Sequence, residues 1–145
     1  MKPIERILLA IDFSKNLEQV LDYAILFAEK FNAKLYILHV VHDLKNYTGF
    51  YVTKTPLAQL QNELYEEGKN RIEQLCREKL KNFQSYEALV ITGSPSAEIL
   101  RTAQEKHIDL LILGAHKEEK PQHRFLGSTV EKVLHQAPCP VVVVV

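Results

Sequence analysis

The stretch from Arg6 to Val41, RILLAIDFSKNLEQVLDYAILFAEKFNAKLYILHVV, decides the fold. Its opening run, RILLAI, is nearly all apolar, as expected of a parallel strand covered on both faces. Asp12-Phe13-Ser14 ends that run, and Ser14 is placed to cap a helix expected over Lys15–Phe31. Leu17, Val20, Leu21, Ala24, Ile25 and Ala28 form one apolar stripe along that helix. Asn32-Ala33 then turns the chain into a second strand, Lys34–Val41. A strand, a helix and a strand in such a short length make a βαβ unit, which predicts parallel pairing and a right-handed crossover.

The same alternation continues to the end. His42–Pro56 has no clear period and reads as a loop. A long helix is expected over Leu57–Phe83, with Leu57, Leu60, Leu64, Ile72, Leu75 and Leu80 on one side. Gly68 inside it costs ~1 kcal/mol relative to alanine, which points to a bend or a close contact. A third strand is expected over Tyr86–Thr92. Ser94 and Pro95 then start a helix over Ser96–Lys106 that buries Ala97, Ile99, Leu100 and Ala103. A fourth strand spans Ile108–Leu113, and a last helix, Ser128–Gln136, presents Val130, Val133 and Leu134 to the core. Pro138 and Pro140 stop it, and the valines of 141–145 form a fifth strand. Strands and helices in strict alternation predict an α/β three-layer sandwich around a parallel five-stranded sheet. The length of 145 residues fits one domain, 1–145.

Composition removes several functions. Lys+Arg and Asp+Glu are both 18, so no global field draws the chain to nucleic acid or an anionic membrane. The first apolar run is too short for a secretion signal, and no run approaches the ~18–20 residues of a membrane span. Cys76 and Cys139 have no motif spacing, and read as inert thiols of a reduced, cytoplasmic protein. The histidines show no metal-ligand spacing: His39 and His42 face opposite sides of a strand, and His116 and His123 share a polar loop.

The chemistry concentrates in Leu110–Thr129, LLILGAHKEEKPQHRFLGST. A buried strand breaks at Gly114, a polar loop follows, and Gly127-Ser128-Thr129 opens a helix. Glycine lets backbone N–H groups approach a phosphate closely, and a helix start offers unpaired donors with partial positive charge. Ligands of open α/β sheets sit beyond the carboxyl ends of the strands, at the topological switch point. Asp12, Val40, Gly93 and Gly114 all lie at such ends. Lys120, His123 and Arg124 read as solvated loop surface.

RILLAIDFS, LHVV, TGSPSAEIL, DLLILGAHK and FLGSTVEKVLHQAPCPVVVV together resemble the universal stress protein family from end to end. The resemblance implies an adenine nucleotide alpha hydrolase-like fold with sheet order 3-2-1-4-5. It also implies a stress-response homodimer in which the fifth strands, Val141–Val145, pair across a two-fold axis. A bare valine strand at the chain's end fits, since natural proteins normally cover such edges.

Many members of this family bind ATP through Gly-x2-Gly-x9-Gly-(Ser/Thr). Gly114, Gly127 and Ser128 match at the right spacing, and Lys117 replaces the second glycine. That lysine either strains the backbone and occludes the phosphates, or pairs with them as a point charge. The resemblance further implies Asp12 beside the adenine and ribose, Ala10 and Ile11 lining the base pocket, and Val40 over the adenine face. Leu113 lies just before the glycine loop, and Ser128 and Thr129 would hold phosphate. The expected ligand is therefore ATP, or AMP or ADP, with Mg²⁺ as accompanying ion. The alternative is a nucleotide-free dimeric interaction module whose phosphate loop is blocked by Lys117. Nucleotidyl-transferase and ATP-pyrophosphatase relatives of the fold carry His-x-Gly-His or Ser-Gly-Gly signatures, which this chain does not have. No catalytic residue is assigned, and slow ATP hydrolysis is the most activity expected.

Overall fold

The computed structural model describes residues 2–47, 54–115 and 126–145. Along the chain run β1 (Arg6–Ile11), α1 (Leu17–Phe31), β2 (Lys34–His42), a 3₁₀ turn (Leu44–Tyr47) and α2 (Lys54–Lys79). Then come β3 (Tyr86–Gly93), α3 (Pro95–Glu105), β4 (Leu110–Gly114), α4 (Ser128–Gln136) and β5 (Val141–Val144). The strands form one five-stranded sheet in the order β3-β2-β1-β4-β5, with every pairing parallel. This is the adenine nucleotide alpha hydrolase-like fold.

Strand residues alternate between two cores. Ile7, Leu9, Leu35, Ile37 and Ile112 pack with Val20, Leu21 and Ala24 of α1 and with Ile72 and Cys76 of α2. Leu8, Leu38, Val40, Leu111 and Leu113 pack with Ile99 and Ala103 of α3 and Val130 and Val133 of α4. Three layers follow directly. Because both faces are covered, the central strands read as continuous apolar runs and not as alternating ones.

Helix starts differ from expectation at α1. Asn16, not Ser14, is the N-cap, and α1 begins at Leu17. Ser14 is held in a turn instead: its N–H donates to Asp12 Oδ1 at 3.1 Å, and its hydroxyl donates to Asn16 Oδ1 at 2.8 Å. An aspartate two residues ahead offers the backbone a competing hydrogen bond, which delays the helix. Ser94 does stand at the N-cap of α3 with Pro95 next. That start makes Ser96 and Thr102 the buried polar positions, while Ala97 faces outward. Leu60 and Leu134 are also exposed, against expectation, because each lies on the outer margin of its helix's apolar stripe. The region read as a loop after β2 contains a 3₁₀ turn tied to α2. Gln61 accepts from Leu44 N–H at 2.8 Å and donates to the His42 carbonyl at 3.1 Å.

Gly68 is where α2 meets the sheet. A Cβ there would lie 3.0 Å from His39 Cδ2 and 3.1 Å from Val41 Cγ2, so the glycine marks a close contact. Among the described residues no helix is long and apolar enough to cross a membrane. The core assignment predicts that Ile112→Ala destabilises by ~2–5 kcal/mol, while Leu134→Ala stays within ~0.5 kcal/mol. Urea titration of the two variants checks both values.

Candidate functional site

Strand β1 lies between β2 and β4. The chain leaves β1 toward β2 on one side and reaches β5 from β4 on the other. The connections therefore diverge at the carboxyl ends of β1 and β4, and a crevice opens there.

A hydrogen-bonded floor holds that opening. Asn16 donates through Nδ2 to the Ala115 carbonyl at 3.1 Å, tying the start of α1 to the chain leaving β4. The Ala115 N–H donates to the Val144 carbonyl at 2.8 Å, which carries β4 one residue further along β5. Gly114 lets these elements close up, since a Cβ there would lie 2.8 Å from Val20 Cγ2.

The crevice has a volume of about 330 Å³ and is lined by Ala10, Ile11, Asp12, Val40, Leu113, Gly114, Gly127, Ser128 and Thr129. Every described residue that the sequence singled out for a ligand is thus on one cavity. Lys117 lies outside the described residues. Leu38, His39, His42, Pro95, Ile99, Leu126 and Val130 complete the lining. Some of these carry a readable signal: Leu38 is two residues before Val40 on the same strand face, and Ile99 shares the stripe of α3. Pro95 and Leu126 carry none, because only the tertiary fold brings them to β1.

Two chemically distinct polar features result. At one, Gly127 caps α4 with φ of 108°, a conformation that side chains rarely adopt. The first helical bond of α4 runs from Glu131 N–H to the Gly127 carbonyl, so the N–H groups of Ser128, Thr129 and Val130 precede the ladder. Their dipoles and the two hydroxyls favour an anion. The walls are apolar, and Ala10, Val40 and Leu113 share the α3/α4 face of the sheet. Ile11 packs into the opposite core and reaches the cavity only at the edge of β1. The other is the carboxylate of Asp12, which also lines the cavity and whose Oδ1 accepts from the Ser14 N–H.

Behind Asp12, on the α1/α2 side, is a half-buried histidine. His39 Nδ1 lies 3.2 Å from the Ile11 carbonyl, so the Nδ1-protonated form donates to it. Burial, with Arg71 and His42 adding to it, lowers the His39 pKa against the opposing pull of the Ile11 carbonyl and Asp12. Burial also pushes the Cys76 thiol up to about 11. Cys139 is raised too, first by burial and then by Asp109. Burial thus disfavours the reactive thiolate form at both positions. Among the described residues no cluster of three His, Cys, Asp or Glu side chains could hold a metal ion.

A parallel sheet with helices on both faces and a crevice at its switch point defines a doubly wound α/β protein. The chain belongs to the universal stress protein family, whose model matches residues 3–145. Universal stress protein YxiE of Bacillus subtilis is 31% identical over 144 residues, covering 96% of this chain and 97% of that one. The solved universal stress protein UspA of Lactobacillus plantarum is 27% identical, with a TM-score of 0.80 and full coverage of both chains. A protein of Methanocaldococcus jannaschii, MJ0577, has a TM-score of 0.79 at 26% identity, covering 99% of this chain and 96% of that one. Two more distant structures of the fold were solved with ligands. One is a universal stress protein in complex with cAMP, and the other, from Archaeoglobus fulgidus, is in complex with dAMP; both are 20% identical, with TM-scores of 0.65 and 0.59.

Two predictions follow from the geometry. Gly114→Ala destabilises by ~1–3 kcal/mol through overlap with Val20, and Gly127→Ala by ~1–2 kcal/mol through backbone strain alone. The variants separate when Val20→Ala is added, which rescues only the first in thermal melts. For His39, a lowered folded-state pKa means that the unfolded chain binds its proton more readily. The His39 contribution therefore falls away as pH drops through 6.5, its ordinary value, and is constant above it. Stability measured from pH 8 to pH 5 in wild type and His39→Asn checks the sign.

Proposed function

We propose that this chain is a stress-response protein that binds an adenine nucleotide as a regulatory ligand in the crevice above β1 and β4. The observation that carries the proposal is the convergence on one cavity of Asp12, Val40, Gly114 and the Gly127–Thr129 helix start. An adenylate has the matching polarity: an anionic end, a flat apolar base and a ribose diol. The phosphate meets the N–H groups and hydroxyls of Ser128 and Thr129. The base lies against Ala10, Val40 and Leu113, and the Asp12 carboxylate accepts a hydrogen bond from the ribose. Complexes of two family members with cAMP and dAMP support the adenylate class.

ATP is the ligand this reading favours, with AMP and ADP as shorter forms of the same chemistry. Mg²⁺ would accompany the phosphates of ATP and offset part of their charge. Residues 1–145 act as one domain, and two copies pair through the β5 edge. Among the described residues that strand has a neighbour on one side only, and Val145, which follows it, is 51% exposed. Two free thiols suit a reducing cytoplasm. No catalytic base is assigned, so the nucleotide acts as a signal.

Calorimetric titration with AMP, ADP and ATP, with and without Mg²⁺, tests the proposal. Binding is expected in wild type, with affinity reduced about three- to tenfold by Ser128→Ala, the worth of one hydrogen bond. Binding by Lys117→Gly but not by wild type would instead support the interaction module with a blocked phosphate loop. Heat in neither protein contradicts the nucleotide reading.

A further inference from the structure

Phe13 adopts φ of 57°, in the left-handed region, although it is neither glycine nor asparagine. For a bulky residue this is a true outlier, held only because its surroundings over-determine it. Those surroundings are specific. The Phe13 ring meets the His39 imidazole edge-on, with centroids 4.7 Å apart and planes at 70°. The Arg71 guanidinium of α2 covers the same ring at 4.1 Å from its centroid. His39 in turn reaches the Ile11 carbonyl at 3.2 Å. The bare Cα of Gly68 admits the imidazole to this position, since a Cβ there would come within 3.0 Å of it.

We infer that His39 is the positioning residue for Asp12: it grips the residue before it by a hydrogen bond and the residue after it by ring contact. The inference rests on the adenylate reading of the crevice, and it adds how the acidic wall of that crevice is set. With Ile11 and Phe13 both fixed to β2, the intervening Cα–Cβ bond of Asp12 has one direction. Its carboxylate then closes the turn onto the Ser14 N–H and faces the cavity. Arg71 and Gly68 extend the grip to α2, so that face of the sheet is tied to the crevice that His39 itself also lines. The edge-to-face ring pair, the cation over the aromatic face and the Ile11 hydrogen bond together offset the strain of one left-handed residue.

Backbone NMR of the ligand-free protein, followed by titration with AMP, tests this in three variants. His39→Leu keeps bulk but removes the donor and the polar ring. His39→Asn restores a donor near the Nδ1 position. Arg71→Gln removes the cation from an exposed site, and so keeps the test available where a strand substitution fails to fold. In His39→Leu the chemical shifts of Phe13 leave the left-handed range and AMP affinity falls about tenfold, the loss of one hydrogen bond and one ring pair. His39→Asn recovers part of that loss without a matching change in Tm, and Arg71→Gln shows a two- to threefold loss of affinity. Unchanged Phe13 shifts in both His39→Leu and Arg71→Gln overturn the inference. Altered shifts in a protein whose wild type binds no AMP uphold the positioning role and defeat the adenylate reading instead.

Discussion

Everything in this molecule depends on β1 being hydrogen-bonded on both sides to parallel neighbours whose connections depart in opposite directions. Parallel strands cannot be joined by a tight turn, so each connection crosses the sheet through a helix. The crossovers from β1 to β2 and from β2 to β3 carry α1 and α2 on one face. Those from β3 to β4 and from β4 to β5 carry α3 and α4 on the other. At the carboxyl ends of β1 and β4 the chain therefore parts, and among the described residues no secondary structure fills the gap. The cavity is a consequence of topology before any side chain is considered.

What the side chains add is polarity along that gap. The start of α4 presents backbone donors and a partial positive charge, and Asp12 presents a carboxylate to the same cavity. Valine, leucine and alanine line it too. The floor is rigid because Asn16, Ala115 and Val144 are joined by successive hydrogen bonds, and because Gly114 lets α1 settle onto β4. That hydrogen-bonded floor ties the start of α1 to β4 and β5, and on the proposed reading it preorganises this side of the ligand site.

The strands and the helix faces were legible because both strand faces are covered, as the mostly apolar runs RILLAI and KLYILHVV show, while the sheet order came from the family resemblance. The crevice residues were legible where a motif or a strand end marked them, as at Asp12, Val40, Gly127 and Ser128. Reading failed where local patterns are ambiguous. Ala97 and Leu134 lie at the margins of apolar stripes, where a small rotation of the helix decides exposure. Ser14 has the composition of a helix cap, yet Asp12 draws its N–H into a turn and leaves the cap to Asn16. The grip of His39 on Ile11 and Phe13 gives no sequence signal, since its partners are far apart in the chain and meet only across the β1–β2 pairing.

A crystal structure of the full chain grown with excess ATP and Mg²⁺ tests the central claim most directly. Density for the nucleotide should lie across β1 and β4, with phosphate oxygens on the N–H groups of Ser128 and Thr129 and the base beside Val40. A crevice empty under those conditions, or nucleotide bound elsewhere on the molecule, would contradict the account.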